Sequence, residues 1–148
     1  MNKIREQVML KFCKLHKDAI IPTFGSEEAA GFDFYALESY KIPAGQSAFI
    51  RTGLCMEIEA GYEIQVRSRS GLALKHRIMV LNSPGTVDSD YRGELMVILA
   101  NFGDDFEIKQ GDRIAQGIVQ KLPQVKIVEV EAVNTTKRGI GGFGSTGI

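Results

Sequence analysis

Five short stretches hold the residue types that could do chemistry, and most of them suit an anion. In RSRSGLALKH (67–76) Arg67 and Arg69 alternate with Ser68 and Ser70, and Gly71 follows. A Ser-Gly pair opening a short helix offers free backbone N–H groups and a hydroxyl, which together bind anions; the same residues also suit a solvated strand end. RGIGGFGSTGI (138–148) supplies Arg138, Ser145 and Thr146 as donors to phosphate oxygens, glycine N–H groups for the same purpose, and Phe143 as a flat face for a base. This stretch reads either as a disordered polar end or as a flap that closes over a nucleotide. Its GIGGFG run matches G-x-G-x-x-G, but only four residues follow, without the helix and distant acid that a dinucleotide site needs.

The other three stretches are acidic or mixed. NSPGTVDSDYRGE (82–94) places Asp88 and Asp90 on either side of Ser89, with Tyr91 next and Pro84-Gly85 and Arg92-Gly93 as brackets. It reads as a hairpin with acids at its shoulders, and strand alternation puts Asp88 and Asp90 on one side. In AGFDFYA (30–36) Asp33 lies among apolar residues, so it either faces solvent from an edge strand or needs a partner or a metal-bound water. GDRIAQ (111–116) is a turn leading into a strand.

The elements that must carry these residues are strands. YEIQVR (62–67) alternates with Tyr62, Ile64 and Val66 on one face, and ELMVILANF (94–102) is largely apolar on both. Further runs occur at 7–15, 30–37, 46–51, 54–59, 78–81, 113–120 and 126–133, separated by turn signals such as Pro43-Ala44-Gly45 and Gln110-Gly111-Asp112. Only SGLALKH (70–76) reads as a helix, and a short one. The pattern predicts an all-β sandwich, jelly roll or barrel. From about Asn134 the strand pattern gives way to the glycine-rich end.

Composition narrows the function classes. Of 148 residues, 44% are apolar and 24% charged, which fits one globular domain. Lys+Arg and Asp+Glu are 18 each, so no basic excess suggests a nucleic-acid or membrane-surface partner. The charged N-terminal stretch reads as neither a signal nor a membrane span. Cys13 and Cys55 lack metal-binding spacing and read as reduced thiols of a cytoplasmic protein. With only His16 and His76, a zinc site, a serine triad or a Cys-His pair is poorly supported.

Taken in order, the five stretches resemble the motifs of the trimeric dUTPase family: AGFDF (30–34), RSGLA (69–73), GTVDSDYRG (85–93), GDRIAQ (111–116) and RGIGGFGSTG (138–147). The resemblance spans nearly the whole chain. Ser68 stands where the family often has Pro, and Phe32 where Tyr is frequent; neither change removes a functional group.

The resemblance implies a homotrimer of jelly-roll or distorted-barrel subunits, residues 1–133, each with one short helix and a flexible arm, residues 134–148, that closes over a neighbour's site. One subunit would supply the third motif, a second the first, second and fourth, and a third the arm. It implies hydrolysis of dUTP to dUMP and pyrophosphate, which keeps uracil out of DNA and supplies dUMP for thymidylate synthesis. Asp88 would activate the attacking water. Arg69, Ser70, Gly71 and Gln116 would hold phosphates. Asn82, Gly85 and Val87 would line the uracil hairpin, and Tyr91 would pack under the deoxyribose. Arg138, Phe143, Gly144, Ser145 and Thr146 would close the site. Asp33 would reach a Mg²⁺ through water, the ion being held mainly by substrate phosphates. Two rivals share the fold. A dCTP deaminase would need a carboxylate placed to act on the cytosine ring, and the Asp88–Tyr91 hairpin with the complete fifth motif favours the hydrolase. A non-enzymatic nucleotide-binding module would be expected to lack a motif residue, and none is missing.

Overall fold

The structure, a computed structural model, describes residues 5–148. Eleven strands and one short helix make up the fold: β1 (Leu10–Lys14), β2 (Phe32–Tyr35), β3 (Tyr40–Ile42), β4 (Ser47–Arg51), β5 (Leu54–Ile58), β6 (Tyr62–Arg67), α1 (Ser70–His76), β7 (Ile78–Val80), β8 (Gly85–Asp88), β9 (Met96–Asn101), β10 (Phe106–Ile108) and β11 (Arg113–Lys121). Every pairing is antiparallel. A four-stranded sheet runs in the order β2-β11-β6-β8 and a three-stranded sheet in the order β4-β9-β7, with the pairs β1-β5 and β10-β3 beside them. The all-β expectation holds.

The period-2 pattern explains the core. Tyr62, Ile64 and Val66 of β6 are buried, while Glu63, Gln65 and Arg67 are half-buried on the other face. Phe34, Ile64 and Ile114 of the larger sheet join Ile50, Ile78 and Leu99 of the smaller one in a single apolar cluster. Each such fully buried side chain contributes about 1.5–3 kcal/mol. Asn101 is, with Thr52, one of two polar side chains buried to 1% exposure among the described residues. Its Nδ2 donates to the carbonyls of Ile42 (2.8 Å) and Asp104 (2.7 Å), and its Oδ1 accepts from the Gly103 N–H (2.9 Å). It thereby ties the end of β9 to β3 and to the turn that leads into β10.

Helix α1 spans the expected residues. It ends at Arg77, whose left-handed φ of 56° caps it with N–H bonds back to Ala73 and Leu72. The Phe102 N–H bonds the Arg77 carbonyl at 2.9 Å, so the Asn101 turn also supports the end of the helix.

Two expectations need correction. Residues 126–133 form no strand despite their alternation: Ile127 is 91% and Val133 84% exposed. A strand needs a partner edge, and past Leu122, whose N–H bonds the Gly61 carbonyl at 2.8 Å, residues 123–133 meet none among the described residues. Cys13 and Cys55 are free thiols as expected, and the fold sets them directly opposite each other across β1 and β5. β8 stops at Asp88 and a turn follows, so strand alternation does not carry Asp90 to the side of Asp88.

Candidate active site

The phosphate-binding candidates meet at one end of the four-stranded sheet. Asp33 on the edge strand β2 opposes Gln116 of β11, and Gln116 opposes Arg67 at the end of β6. A bulge between Arg113 and Ala115 adjoins this pairing. Gln116 Nε2 donates to the Ser68 carbonyl at 3.0 Å. The two arginines of the RSRS repeat part company. Arg67 bonds Gln65 Oε1 along its own strand through Nη2 (2.7 Å) and Nε (3.2 Å). Arg69 instead brings Nε to 3.5 Å from Asp33 Oδ1 and donates from Nη1 to the Arg113 carbonyl at 3.2 Å. Arg113 Nη1 stands 3.8 Å from Asp33 Oδ2. The Asp33 side chain is only 19% exposed, so these guanidinium groups are the partners its burial requires. Ser70 and Gly71 open α1, both exposed, and no side chain caps the helix, which leaves its first N–H groups open to a ligand.

The hairpin candidates lie on and beside the opposite edge strand of the same sheet, β8, which runs away from the Arg67 end toward Asp88. Gly85 is buried opposite Val66; a Cβ there would come within 3.2 Å of Val66 Cβ and 3.4 Å of Asn82 Nδ2, so the chain passes close to both. Val87 is half-buried and Asp88 exposed, without an ion-pair partner among the described residues. The Tyr91 N–H closes a turn onto the Asp88 carbonyl (3.1 Å), and Tyr91 Oη donates to the Glu94 carbonyl (3.0 Å). The phenol folds over Gly93, where a Cβ would lie 2.4 Å from Oη; only glycine permits this fold. Thr86, Val87, Asp88, Tyr91, Glu94 and Met96 border a cavity of about 360 Å³ that reaches into the space between the sheets.

Sequence reasoning missed the support behind this hairpin. Arg51 grips Glu94 with two hydrogen bonds, Nε to Oε2 at 3.0 Å and Nη2 to Oε1 at 2.9 Å. The bond from Arg51 is the main reason the Glu94 carboxyl is held below its ordinary pKa, against the opposing effect of burial. Thr52 Oγ1 donates to the Leu95 carbonyl (2.6 Å), and the Leu95 N–H bonds the Leu54 carbonyl (2.7 Å). These contacts join residues some forty positions apart, and no local spacing announces them.

One chain does not bring Asp88 to the phosphate-binding group. Cross-strand partners share a face, so Asp33, Gln116, Arg67 and Asp88 all point to the same side of the sheet. Asp88 opposes Glu63, and Gln116 opposes Arg67 from the far side of β6. At about 3.3 Å per residue and 4.8 Å per strand, Asp88 and Gln116 stand roughly 16 Å apart. Arg138, Phe143, Gly144, Ser145 and Thr146 are exposed, Phe143 fully so, and the hydrogen bonds of residues 134–148 stay within that segment.

Comparisons with known proteins point one way. The dUTPase family model matches residues 17–147. A deoxyuridine 5'-triphosphate nucleotidohydrolase of Helicobacter pylori (strain J99) is 54% identical over 140 residues, covering 94% of this chain and 97% of the relative. One of Wolinella succinogenes is 54% identical over 143 residues, covering 96% of each. Among solved structures, the Staphylococcus bacteriophage 80alpha dUTPase with dUPNHPP superposes with a TM-score of 0.84 at 25% identity, over 95% of this chain and 99% of that one.

Proposed function

The chain belongs to the dUTPase family and is a dUTP diphosphatase, and on that premise we propose that it hydrolyses dUTP to dUMP and pyrophosphate at a site shared between subunits of a homotrimer. The observation that carries the shared site is the separation just described. Asp88 and Ser70 must act on the same phosphorus, Asp88 through an attacking water and Ser70 at the oxygen between the α- and β-phosphates. Hydrogen bonds reach about 3 Å, and the backbone at Asp88 is roughly 16 Å from that at Gln116 of the phosphate-binding group, which argues against one chain serving the phosphorus alone. Cyclic symmetry lets Asp88 of one subunit face Arg69, Ser70 and Gln116 of another at three equivalent sites.

Asp88 is exposed and has no ion-pair partner among the described residues, which leaves its carboxylate open to a water. Arg69 is tethered near Asp33 at an ion-pair distance of 3.5 Å, long enough to be exchanged for a phosphate oxygen. Ser70 and the open N–H groups of α1 stabilise charge on the bridging oxygen as the bond to pyrophosphate breaks. Gln116 is held in place by the Ser68 carbonyl and presents its remaining amide atoms. Asn82, Gly85 and Val87 read the uracil edge, a contact that rejects the wrong base strongly, and Tyr91 packs under the deoxyribose. The arm, residues 134–148, orders over the nucleotide: Arg138, Ser145 and Thr146 take the γ-phosphate and Phe143 covers the base, with Gly144 (φ 81°) turning the chain between them. The alternating, exposed residues 126–133 supply the strand that docks this arm on a neighbour.

Asp33 is the carboxylate that pairs with Arg69 and stands opposite Gln116. Among the described residues no group of three or more His, Cys, Asp or Glu side chains is placed to hold a metal. This donor set fits a Mg²⁺ carried by the substrate phosphates and met by Asp33 through a water; it does not fit an ion held by protein alone. Such an ion, when bound, neutralises phosphate charge. Among the described residues no helix is long and apolar enough to cross a membrane.

Pyrophosphate release from dUTP, dCTP, dTTP and UTP, with and without Mg²⁺, tests the reading. Release from dUTP well above the other three is expected, and ammonia from dCTP without pyrophosphate would overturn it.

A further inference from the structure

We infer that the Arg51–Glu94 ion pair is a positioning device that fixes the Tyr91 wall of the hairpin and so sets how strictly the site excludes a ribonucleotide. The inference rests on the proposed role of Tyr91 under the sugar. The phenol has one hydrogen-bond anchor among the described residues, the Glu94 carbonyl at 3.0 Å. Wherever that carbonyl goes, the ring goes with it.

The turn between β4 and β5 holds Glu94 from behind. Arg51 takes both carboxylate oxygens at 2.9 and 3.0 Å, a planar fork that fixes direction as well as distance. Thr52, 1% exposed, donates to the next carbonyl, that of Leu95, at 2.6 Å and also accepts the Leu54 N–H at 3.3 Å. The Leu95 N–H completes the latch on the Leu54 carbonyl at 2.7 Å. On its other side the ring is pressed against Gly93, which has no room for a Cβ. The phenol is thus held between a glycine and a carbonyl that the next strand pair immobilises.

Excluding a 2′-hydroxyl demands such rigidity. Ribose and deoxyribose differ by one oxygen, and a wall free to retreat by about half an ångström no longer separates them. The Glu94 side chain is 12% exposed and borders the same cavity as Tyr91. Without Arg51 its carboxylate is left unpaired and is drawn toward solvent, taking its own carbonyl and the Tyr91 anchor with it. Neither Arg51 nor Glu94 touches the reacting phosphorus in this account, so their effect is on selectivity before it is on turnover.

The test is the ratio of kcat/KM for dUTP to that for UTP in the wild type and in Arg51→Ala, Arg51→Lys, Glu94→Gln and Tyr91→Ala. Arg51→Ala is expected to lower the ratio about tenfold, chiefly by raising UTP hydrolysis. Arg51→Lys, which keeps the charge without the fork, should fall between, and it stands in if the alanine variant does not fold. Adding Arg51→Ala to Tyr91→Ala should change the ratio no further, because both act through one wall. A ratio unchanged in the Arg51 and Glu94 variants but lowered in Tyr91→Ala overturns the inference. Equal losses on both nucleotides reveal a merely structural ion pair and overturn it too. An unchanged ratio in Tyr91→Ala removes Tyr91 as the gate, and the inference with it.

Discussion

Replacing Asn101 by leucine keeps the size of the side chain and removes every polar contact it makes. The Ile42 carbonyl then loses its side-chain donor in a fully buried setting, at a cost of about 1–3 kcal/mol. The Asp104 carbonyl and the Gly103 N–H are partly buried and recover some hydration, so each costs about 0.5–1.5 kcal/mol. Together the loss should be about 2–6 kcal/mol, a large share of the stability of a domain this size. Urea unfolding, followed at one fixed protein concentration because assembly couples to stability, gives the number directly. The damage should extend to the site, since the Asn101 turn supports Arg77 at the end of α1 and α1 begins with Ser70 and Gly71. A loss below about 1 kcal/mol would refute the reasoning, because it would mean that the buried carbonyl finds water or another donor unaided.

Asp88→Asn should cut turnover on dUTP by about 10²–10⁴-fold while binding of the nucleotide persists; nucleotide titration beside a rate assay separates the two. Deleting residues 138–148 should leave a folded protein of unchanged oligomeric state and little activity, read by light scattering and pyrophosphate release. Because Arg51 lowers the folded-state pKa of Glu94 below the ordinary value of 4.5, that carboxylate adds stability that is complete above pH 4.5 and is lost as pH falls through the lowered value. Arg51→Ala should therefore be less stable than wild type near neutrality and lose less on acidification, which urea midpoints at about pH 7 and about pH 4 compare.

Much of the fold was legible because the burial pattern has a period. Tyr62, Ile64 and Val66 go inside as the alternation demands, and the turn residues fall between strands. β3 and β10 escaped because each is three residues with a charge at its centre, Lys41 and Glu107, whereas the equally short β7 lies in an unbroken apolar run. The strand expected at 126–133 failed for the opposite reason: its period is clear, but alternation reports a preference for pairing and not the presence of a partner. The candidate site followed the same division. Arg69, Ser70 and Gln116 were readable from local motifs, and the structure gathers them beside Asp33. The Arg51–Glu94 fork and the Thr52 latch were not readable, since antiparallel register alone brings those residues together.

Subunit mixing tests the central claim most directly. Asp88→Asn and Arg69→Ala chains, each nearly inactive alone, are unfolded and refolded together in equal amounts. If each site draws Asp88 from one subunit and Arg69 from another, random assembly restores about one quarter of the sites. The mixture should then release pyrophosphate from dUTP at about a quarter of the wild-type rate. A mixture no more active than the separate variants would contradict a shared site.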